Sequence, residues 1–433
     1  MHQELLQSSL TLDRSYFVSR SMDERSTHHT RFILVMFVVA FLFIVGIAGP
    51  DHPVLGTHNT AVLPSLAPAV VEPPLSENID SHATPPGAHI ATPAEVRGVY
   101  TTGWNAGTTR GLRHILELFD GTVLNSVVLD IKDATGKLSY QPLDPELRAI
   151  GVGTNRIKNL SSVIDEFHTR GIYVIGRLTV FEDPFFASLY PSETYTDTRT
   201  GLPWKNFKGL TWLRANSDLA RAHIVAIARD AYAQGFDEIN VDYVRFPSDG
   251  DLKALDLSSF TKNKQETIHD FFLALDTALD GIPFSADVFG LTMSANDDVG
   301  IGQKAVLIAP SVDALAPMIY PSHFWNGTYG IPVPAKEPYA VIHKSLSDGI
   351  AKLAAINIGK EKLRPWLQDF DLLGVPYGTS EVRAQIQAVA DLGINSWMMW
   401  DPRNIYHKDA FILEPEVGLE PTTTRLQNGS STN

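Results

Sequence analysis

Hydrophobic positions fall in two textures along this chain. Ahead of residue 97 they form one unbroken block followed by scattered singles; beyond it they come as short runs separated by longer stretches of helical period. Eight runs have strand character: GVYTTGW (98–104), SVVLDIKD (126–133), YVIGRLTVF (173–181), EINVDYVRF (238–246), PFSADVFGL (283–291), ALAPMIYP (314–321), LRPWLQDF (363–370) and INSWMMWDP (394–402). Short apolar runs bounded by turn signals are the pattern of buried strands. Between them, LSSVIDEFHTR (160–170), SDLARAHIVAIARDAYAQ (217–234) and SEVRAQIQAVADL (380–392) have helical spacing. In the middle one Ser217 suits the N-cap, and Leu219, Ile224, Ile227, Ala231 and Tyr232 supply an apolar stripe. Gly171, Gly235, Gly281 and Gly393 recur just before strands three, four, five and eight, where a left-handed residue ends a helix and turns the chain into the sheet.

Strands alternating with helices imply a parallel sheet, and eight such units close a (β/α)8 TIM barrel. An open doubly wound sheet built to hold a dinucleotide would need a glycine-rich turn after its first strand, and GVYTTGW is not followed by one.

The unbroken block, residues 32–49, runs for eighteen residues without a charge. That reaches the short end of the membrane-spanning range. Arg14, Arg20, Arg25 and Arg31 precede it and no Lys or Arg follows until Arg97, an asymmetry that keeps the N-terminus cytoplasmic. The expected organisation is a cytoplasmic segment (1–31), a transmembrane signal anchor (32–49), a Pro/Ala/Thr-rich stalk (50–96), the barrel (97–413) with a short eighth helix near its end, and a disordered tail (414–433). The chain is thus expected to be a single-pass protein of the cell membrane with its barrel extracytoplasmic. The GIAG segment behind the block leaves secretion after cleavage as the alternative.

Composition narrows the chemistry. The net charge of −14 opposes binding to a phosphate backbone, so no nucleic-acid partner is expected. The absence of cysteine removes disulfides, thiol nucleophiles and Cys-ligated metals. No cofactor or metal is called for: the first strand lacks the His-x-His pair of metal-dependent amidohydrolases, and the turns after strands seven and eight lack the glycines of a phosphate site.

A barrel of this kind carries its active site at the C-terminal strand ends. Reading those ends in order gives Trp104 and Asn105; Asp130, Lys132 and Asp133; Arg177 and Glu182; Asp242 and Arg245; Asp287; Tyr320 and His323; Gln368 and Asp369; Trp400 and Asp401. Carboxylates and aromatics on one rim suit glycosidic cleavage, which needs a carboxylic acid to protonate the leaving oxygen and a carboxylate to attack or to activate water. Asp242 and Asp287, at equivalent depths of adjacent strands, are the catalytic candidates. Trp104, Asp130, Lys132, Asp133, Arg177, Arg245, Tyr320, His323, Gln368, Trp400 and Asp401 are the substrate-binding candidates. Asp130 and Asp133 would orient hydroxyls, and Lys132 and Arg245 would keep nearby carboxylates ionised. Trp204 and Trp212, in a long insertion after strand three, and Trp325 add stacking surfaces. Strand parity sends Asn240 and Asp242 to the barrel axis, Ile239, Val241 and Tyr243 to the helical layer, and Arg245 outward unless the strand bends. Two other readings share the rim: a barrel that binds glycan without cleaving it, and a metal-dependent polysaccharide deacetylase with Asp130, Asp287 and His323 as ligands.

The block GFDEINVDYVRFP resembles the signature of a bacterial family of glycoside hydrolase-like proteins, DUF4015. RGVYTTGW, VVLDIKDATGKLSY, GLPW, PMIYPSHF and WMMWDP support the resemblance, which extends from about Arg97 to Asp401. It implies a TIM-barrel hydrolase acting on a polysaccharide, distantly related to the α-amylase and α-galactosidase-like barrels. In those, the nucleophile is an Asp at the end of strand four, which maps onto Asp242. The acid/base comes from strand five or six; Asp287 is the strand-five residue, where amylase-like barrels carry Glu, and strand six offers Tyr320 and His323 but no carboxylate.

Overall fold

The computed structural model describes residues 89–372 and 374–412. The expected cytoplasmic segment, the 32–49 anchor, most of the stalk and the 414–433 tail lie outside them. Among the described residues no helix is long and apolar enough to cross a membrane.

Eight strands form a closed parallel barrel in chain order: β1 (Arg97–Thr101), β2 (Ser126–Lys132), β3 (Tyr173–Thr179), β4 (Glu238–Asp242), β5 (Phe284–Phe289), β6 (Ala314–Met318), β7 (Trp366–Gln368) and β8 (Trp397–Trp400). Pairing of β8 with β1 completes the ring and leaves no sheet edge. The helices that return the chain between strands are α1 (Thr109–Phe119), α2 (Leu160–His168), α3 (Asp218–Ala233), α4 (Lys264–Ala278), α5 (Ala305–Ile308), α6 (Pro338–Ala354) and α7 (Thr379–Asp391). A 3-10 turn, Lys408–Phe411, stands where the eighth helix was expected.

The outward faces of the strands build the main core. Val127, Leu129 and Ile131 of β2, Val174 and Leu178 of β3, and Ile239 and Val241 of β4 are fully buried and pack in one cluster with helix residues such as Ile164, Ile224 and Ile227. Helix α3 starts as expected, with Ser217 Oγ accepting from the Ala220 amide at 2.9 Å. Its buried stripe is shifted from the expected one: Ala220, Ile224, Ile227, Ala228 and Ala231 face inward, while Leu219 is exposed. The four glycines ahead of strands all have positive φ, from 66° to 110°.

Most observed strands stop before the apolar runs do, because the runs continue into the rim loops. The clearest case is β4. Tyr243 adopts φ 59°, a left-handed conformation that is costly for an aromatic residue, and its amide donates to Asp242 Oδ1 at 2.6 Å. This bend breaks the period-2 alternation: Tyr243 packs against the core and on Trp212 with ring centroids 5.8 Å apart, and Arg245 is buried over the rings of Trp212, Tyr243 and Phe289 at 4.8, 5.0 and 5.0 Å.

The barrel interior is polar from its floor upward. At the floor Arg364 donates to Glu238 Oε1 at 2.6 Å, Ser285 Oγ donates to the same oxygen at 2.5 Å, and Tyr173 donates to Oε2 at 3.1 Å. The chain is already fastened there before β1: the Ile90 amide donates to Asp237 at 2.7 Å and the Val96 amide to Ser396 at 3.0 Å.

Candidate active site

One layer above the floor, Asn240 donates to Ser285 Oγ at 3.1 Å and to Asp287 Oδ1 at 2.9 Å. The indole of Trp366, on β7, donates to the same Asp287 oxygen at 2.7 Å. These two donors draw the Asp287 carboxyl down the axis, where the residue is 1% exposed. Burial pushes its pKa well above the usual carboxylate range; the charge of Asp242 adds to the rise and Arg177 opposes it.

Arg177 of β3 is the hub of the mouth. Its guanidinium donates to Asp242 Oδ2 at 2.5 and 3.2 Å and to Asp130 Oδ1 at 2.9 Å, and lies 4.0 Å from Asp287 Oδ2. Three strands therefore aim carboxylates at a single cation supplied by a fourth position on the ring. Burial works against the charge on Arg177, but Asp242 and then Asp130 outweigh it and hold the group ionised. Tyr100 of β1 completes the cluster by donating to Asp130 Oδ2 at 2.7 Å. Burial raises the Asp130 pKa, with Arg177 pulling the other way. With one cation among three acids, the cluster holds Asp242 by two hydrogen bonds while burial favours the neutral form of Asp287 and Asp130, the kind of split that acid–base chemistry uses.

The opposite side of the mouth is aromatic. Tyr320 packs on Trp400 with ring centroids 5.0 Å apart, on His323 at 5.2 Å and on Phe370 at 5.8 Å; Trp400 meets Tyr100 edge-on at 6.4 Å. Burial and then the charges of Asp287 and Asp242 raise the Tyr320 phenol well above its ordinary value, so it remains a hydrogen-bond donor beside the carboxylates. Acids on one side of the mouth and rings on the other suit a ligand with hydroxyls on its edge and an apolar face.

Several sequence-based site residues belong to the scaffold instead. Lys132 is fully buried because a register shift between Asp130 and Lys132 turns its side chain off the axis, where it pairs with Asp183 and also reaches the Val180 carbonyl. Asp133 ties a loop, accepting from the Thr135 amide at 3.0 Å and from Arg156 at 2.7 Å. Gln368 clamps two rim loops: its Oε1 accepts from Ser322 Oγ at 2.8 Å and its Nε2 donates to the Phe370 carbonyl at 2.8 Å. Asp401 closes the turn after β8 by accepting from the Arg403 amide and guanidinium. Trp204 and Trp212 are buried core residues, and the Trp204 indole donates to the Asp251 carbonyl. Trp104 does lie open, 62% exposed, with Arg156 over its ring at 4.9 Å.

The ligand set of a metal-dependent deacetylase is not assembled. Asp130 and Asp287 flank Arg177, a cation in the space between them, and His323 sits in the aromatic wall with Nδ1 against Ser322 Oγ at 3.1 Å. Burial lowers the His323 pKa to about 3. Among the described residues no group of three or more His, Cys, Asp or Glu side chains is arranged to hold a metal ion.

Sequence reasoning missed Tyr100 and Trp366 as partners of the site, and placed Asn240 on the axis without giving it a role. Asn240 had a visible signal, a polar residue two before Asp242 on the inward parity. Trp366 had none, because a tryptophan in LRPWLQDF is indistinguishable from a core residue.

The DUF4015 family profile, described as "Putative glycosyl hydrolase domain", matches residues 98–406. No curated protein matches the chain. Among solved structures, a hypothetical protein from Ruminiclostridium thermocellum is 35% identical over 44% of this chain and 97% of its own, with a TM-score of 0.41. The glycoside hydrolase domain of PgaB (BpsB) from Bordetella bronchiseptica is similar with a TM-score of 0.54 at 16% identity, covering 74% of this chain and 100% of that domain. At that identity the likeness is one of fold. The glycoside hydrolase domain of PelA from Pseudomonas aeruginosa is 13% identical over 72% of this chain and 97% of its own, with a TM-score of 0.41.

Proposed function

Because the chain belongs to the DUF4015 glycosyl hydrolase domain family, we propose that it hydrolyses O-glycosidic bonds of a polysaccharide at the barrel mouth, with Asp242 as nucleophile. The observation that carries this reading is the Arg177 hub. It fixes Asp242 at the end of β4 with two hydrogen bonds while three carboxyls share one cation. A hydrogen-bonded carboxylate beside a carboxyl whose pKa burial raises is the kind of pairing that glycoside cleavage uses.

The attack of Asp242 on the anomeric carbon, with departure of the leaving alcohol, gives a glycosyl ester that water then cleaves, so the anomeric configuration is retained. Asp287 is the in-barrel candidate for the proton-donating partner, and its raised pKa supports that role. The Tyr320–Trp400 wall supplies the stacking face for the sugar ring. The 32–49 run would anchor the chain in the cell membrane with the barrel on the extracytoplasmic side, where an envelope or extracellular polysaccharide is within reach.

The test is release of reducing ends from a panel of bacterial polysaccharides by the full-length protein, with the first-formed anomer read by proton NMR. Release of a retained anomer supports the reading. A barrel that binds a panel member without releasing reducing ends is a lectin-like module, and an inverted first product removes Asp242 from the nucleophile's role.

A further inference from the structure

Beside the mouth, at the exits of β8, β1 and β2, an aromatic ring stands open on a rigid base. Past β1 the chain makes one helical turn, Gly103–Ala106, opened by the Thr102 hydroxyl, which accepts from the Asn105 amide at 3.1 Å. The turn presses on the chain between β2 and α2: a Cβ at Gly103 would fall 2.2 Å from Ser139 Oγ, and one at Gly107 would fall 1.9 Å from the Arg156 carbonyl. That close approach sets Arg156 against Trp104. The guanidinium lies 4.9 Å from the centre of the indole and donates to Asp133 Oδ2 at 2.7 Å and to Thr135 Oγ1 at 3.1 Å. The Arg156 side chain is only 8% exposed, whereas Trp104 is 62% exposed. The cation is therefore a covered support whose charge is matched by Asp133, and the ring it backs keeps most of its surface open.

The loop after β8 extends this surface. Asn404 Oδ1 accepts from the Thr102 amide and from its hydroxyl, both at 3.2 Å, and Asn404 takes φ 59°, a left-handed conformation that asparagine tolerates. The next two residues then part. Tyr406 turns inward, its hydroxyl donating to the Tyr100 carbonyl at 2.6 Å, while Ile405 stays 55% exposed. Both loops are tied to the hub through β1 and β2: Tyr100 donates to Asp130 Oδ2 at 2.7 Å, Asp130 pairs with Arg177, and Asp133, which holds Arg156, follows the end of β2. An open ring with a hydroxyl, a carboxylate and a guanidinium beside it offers a sugar both a stacking face and hydrogen-bonding neighbours.

We infer that Trp104, backed by Arg156 and flanked by Ile405, is an outlying subsite that stacks on a sugar ring of the polysaccharide away from the bond being cleaved. The preferred substrate is then a chain long enough to reach from the Arg177 hub across the exit of β1, an assignment that rests on the hydrolase reading above. The occupant is a sugar of that chain because the platform is continuous with the mouth through Tyr100 and Asp130. A stable protein contact draws on a broad apolar centre, whereas among the described residues these two loops expose only Trp104 and Ile405 as large apolar side chains. A contact remote from the reacting carbon acts alike on bound substrate and transition state, so its effect falls on KM and not on the chemical step.

The experiment takes the polysaccharide that the wild type cleaves, with oligosaccharides of increasing length cut from it, and measures KM for full-length wild type, Trp104→Ala and Trp104→Phe. In the wild type KM should fall once the chain is long enough to span from the hub to the platform. Trp104→Ala should lose that fall, leaving its KM on the longest chains about 2–10-fold above the wild type, the scale of one ring contact; Trp104→Phe should keep most of it. Parallel length profiles in the wild type and Trp104→Ala would overturn the subsite. So would a loss of self-association in Trp104→Ala, read by size exclusion, with KM unmoved, since the ring would then serve a second copy of the chain. If the wild type binds the polysaccharide without cleaving it, the hydrolase reading falls, and the same length series read as Kd decides the platform by the same criteria. A wild type that neither binds nor cleaves any polysaccharide of the panel overturns both.

Discussion

The floor and the mouth of this barrel both bury an arginine against acids, yet they are balanced differently. At the floor Arg364 faces one carboxylate, Glu238, whose remaining capacity is filled by Ser285 and Tyr173. At the mouth Arg177 faces Asp242, Asp130 and Asp287. A matched pair in a closed network specifies structure, because each charge has a fixed partner and solvent is excluded. An acid surplus around one cation cannot be satisfied the same way; burial pushes the pKa values of Asp287 and Asp130 up, a setting that favours acid–base work. The difference also follows the barrel's geometry, since conserved function in this fold sits at strand C-termini and stability at the opposite face.

That contrast can be broken most severely at the hub. Arg177→Met should leave three carboxyls without their cation, abolishing turnover and destabilising the fold by about 3–5 kcal/mol, the scale of stranding buried charge; denaturant unfolding and reducing-end assays read the two losses separately. Arg364→Met at the floor should destabilise by a similar amount, about 3–5 kcal/mol, while the folded fraction keeps its kcat within a few-fold. A floor variant that loses activity in parallel with the mouth variant would erase the distinction.

A pH titration of stability gives a smaller, signed effect. Glu182 has its pKa raised from 4.5 to about 7 in the folded protein. The folded state therefore binds the proton more tightly than the unfolded chain between these values, so the contribution is complete below pH 4.5 and lost as pH rises through about 7. Over that window stability should fall by up to about 3 kcal/mol on account of this group, and Glu182→Gln should flatten the fall. A wild-type curve that rises across the window with no difference in the variant would contradict the burial of Glu182 as an acid. The smallest effect is expected at Trp104: as an exposed ring, its replacement by Ala should change stability by less than about 0.5 kcal/mol, while raising KM for polysaccharide if the ring stacks on sugar.

Much of this architecture was legible from pattern alone. Eight apolar runs and the glycines ahead of four of them define the barrel, since Gly171 and Gly235 mark helix ends that only a left-handed residue makes cheaply. Asp242 and Asp287 followed from strand position and alternation, and Asp130 and Arg177 from strand position alone. Parity reaches only as far as the backbone stays in the β region: Tyr243, at φ 59°, bends the chain ahead of Arg245, the bend that the outward reading of Arg245 was conditional on. It stops short likewise at the bulge that buried Lys132. Long-range partners such as Trp366, which meets Asp287 across the barrel, were out of reach because no local spacing encodes a contact 79 residues away. Rim position alone also did not separate groups that face the cleft from those that close turns, such as Gln368 and Asp401, since both kinds are polar residues just past a strand.

The central claim is that Asp242, fixed by Arg177, forms a covalent bond with sugar. Its most direct measurement is the reducing-end rate of purified full-length Asp242→Asn beside the wild type on the same polysaccharide, with thermal unfolding recorded for both. The account predicts a loss on the order of 10⁴-fold, as for removal of a group acting in the chemical step, at an essentially unchanged Tm; a variant that releases reducing ends at the wild-type rate would contradict it.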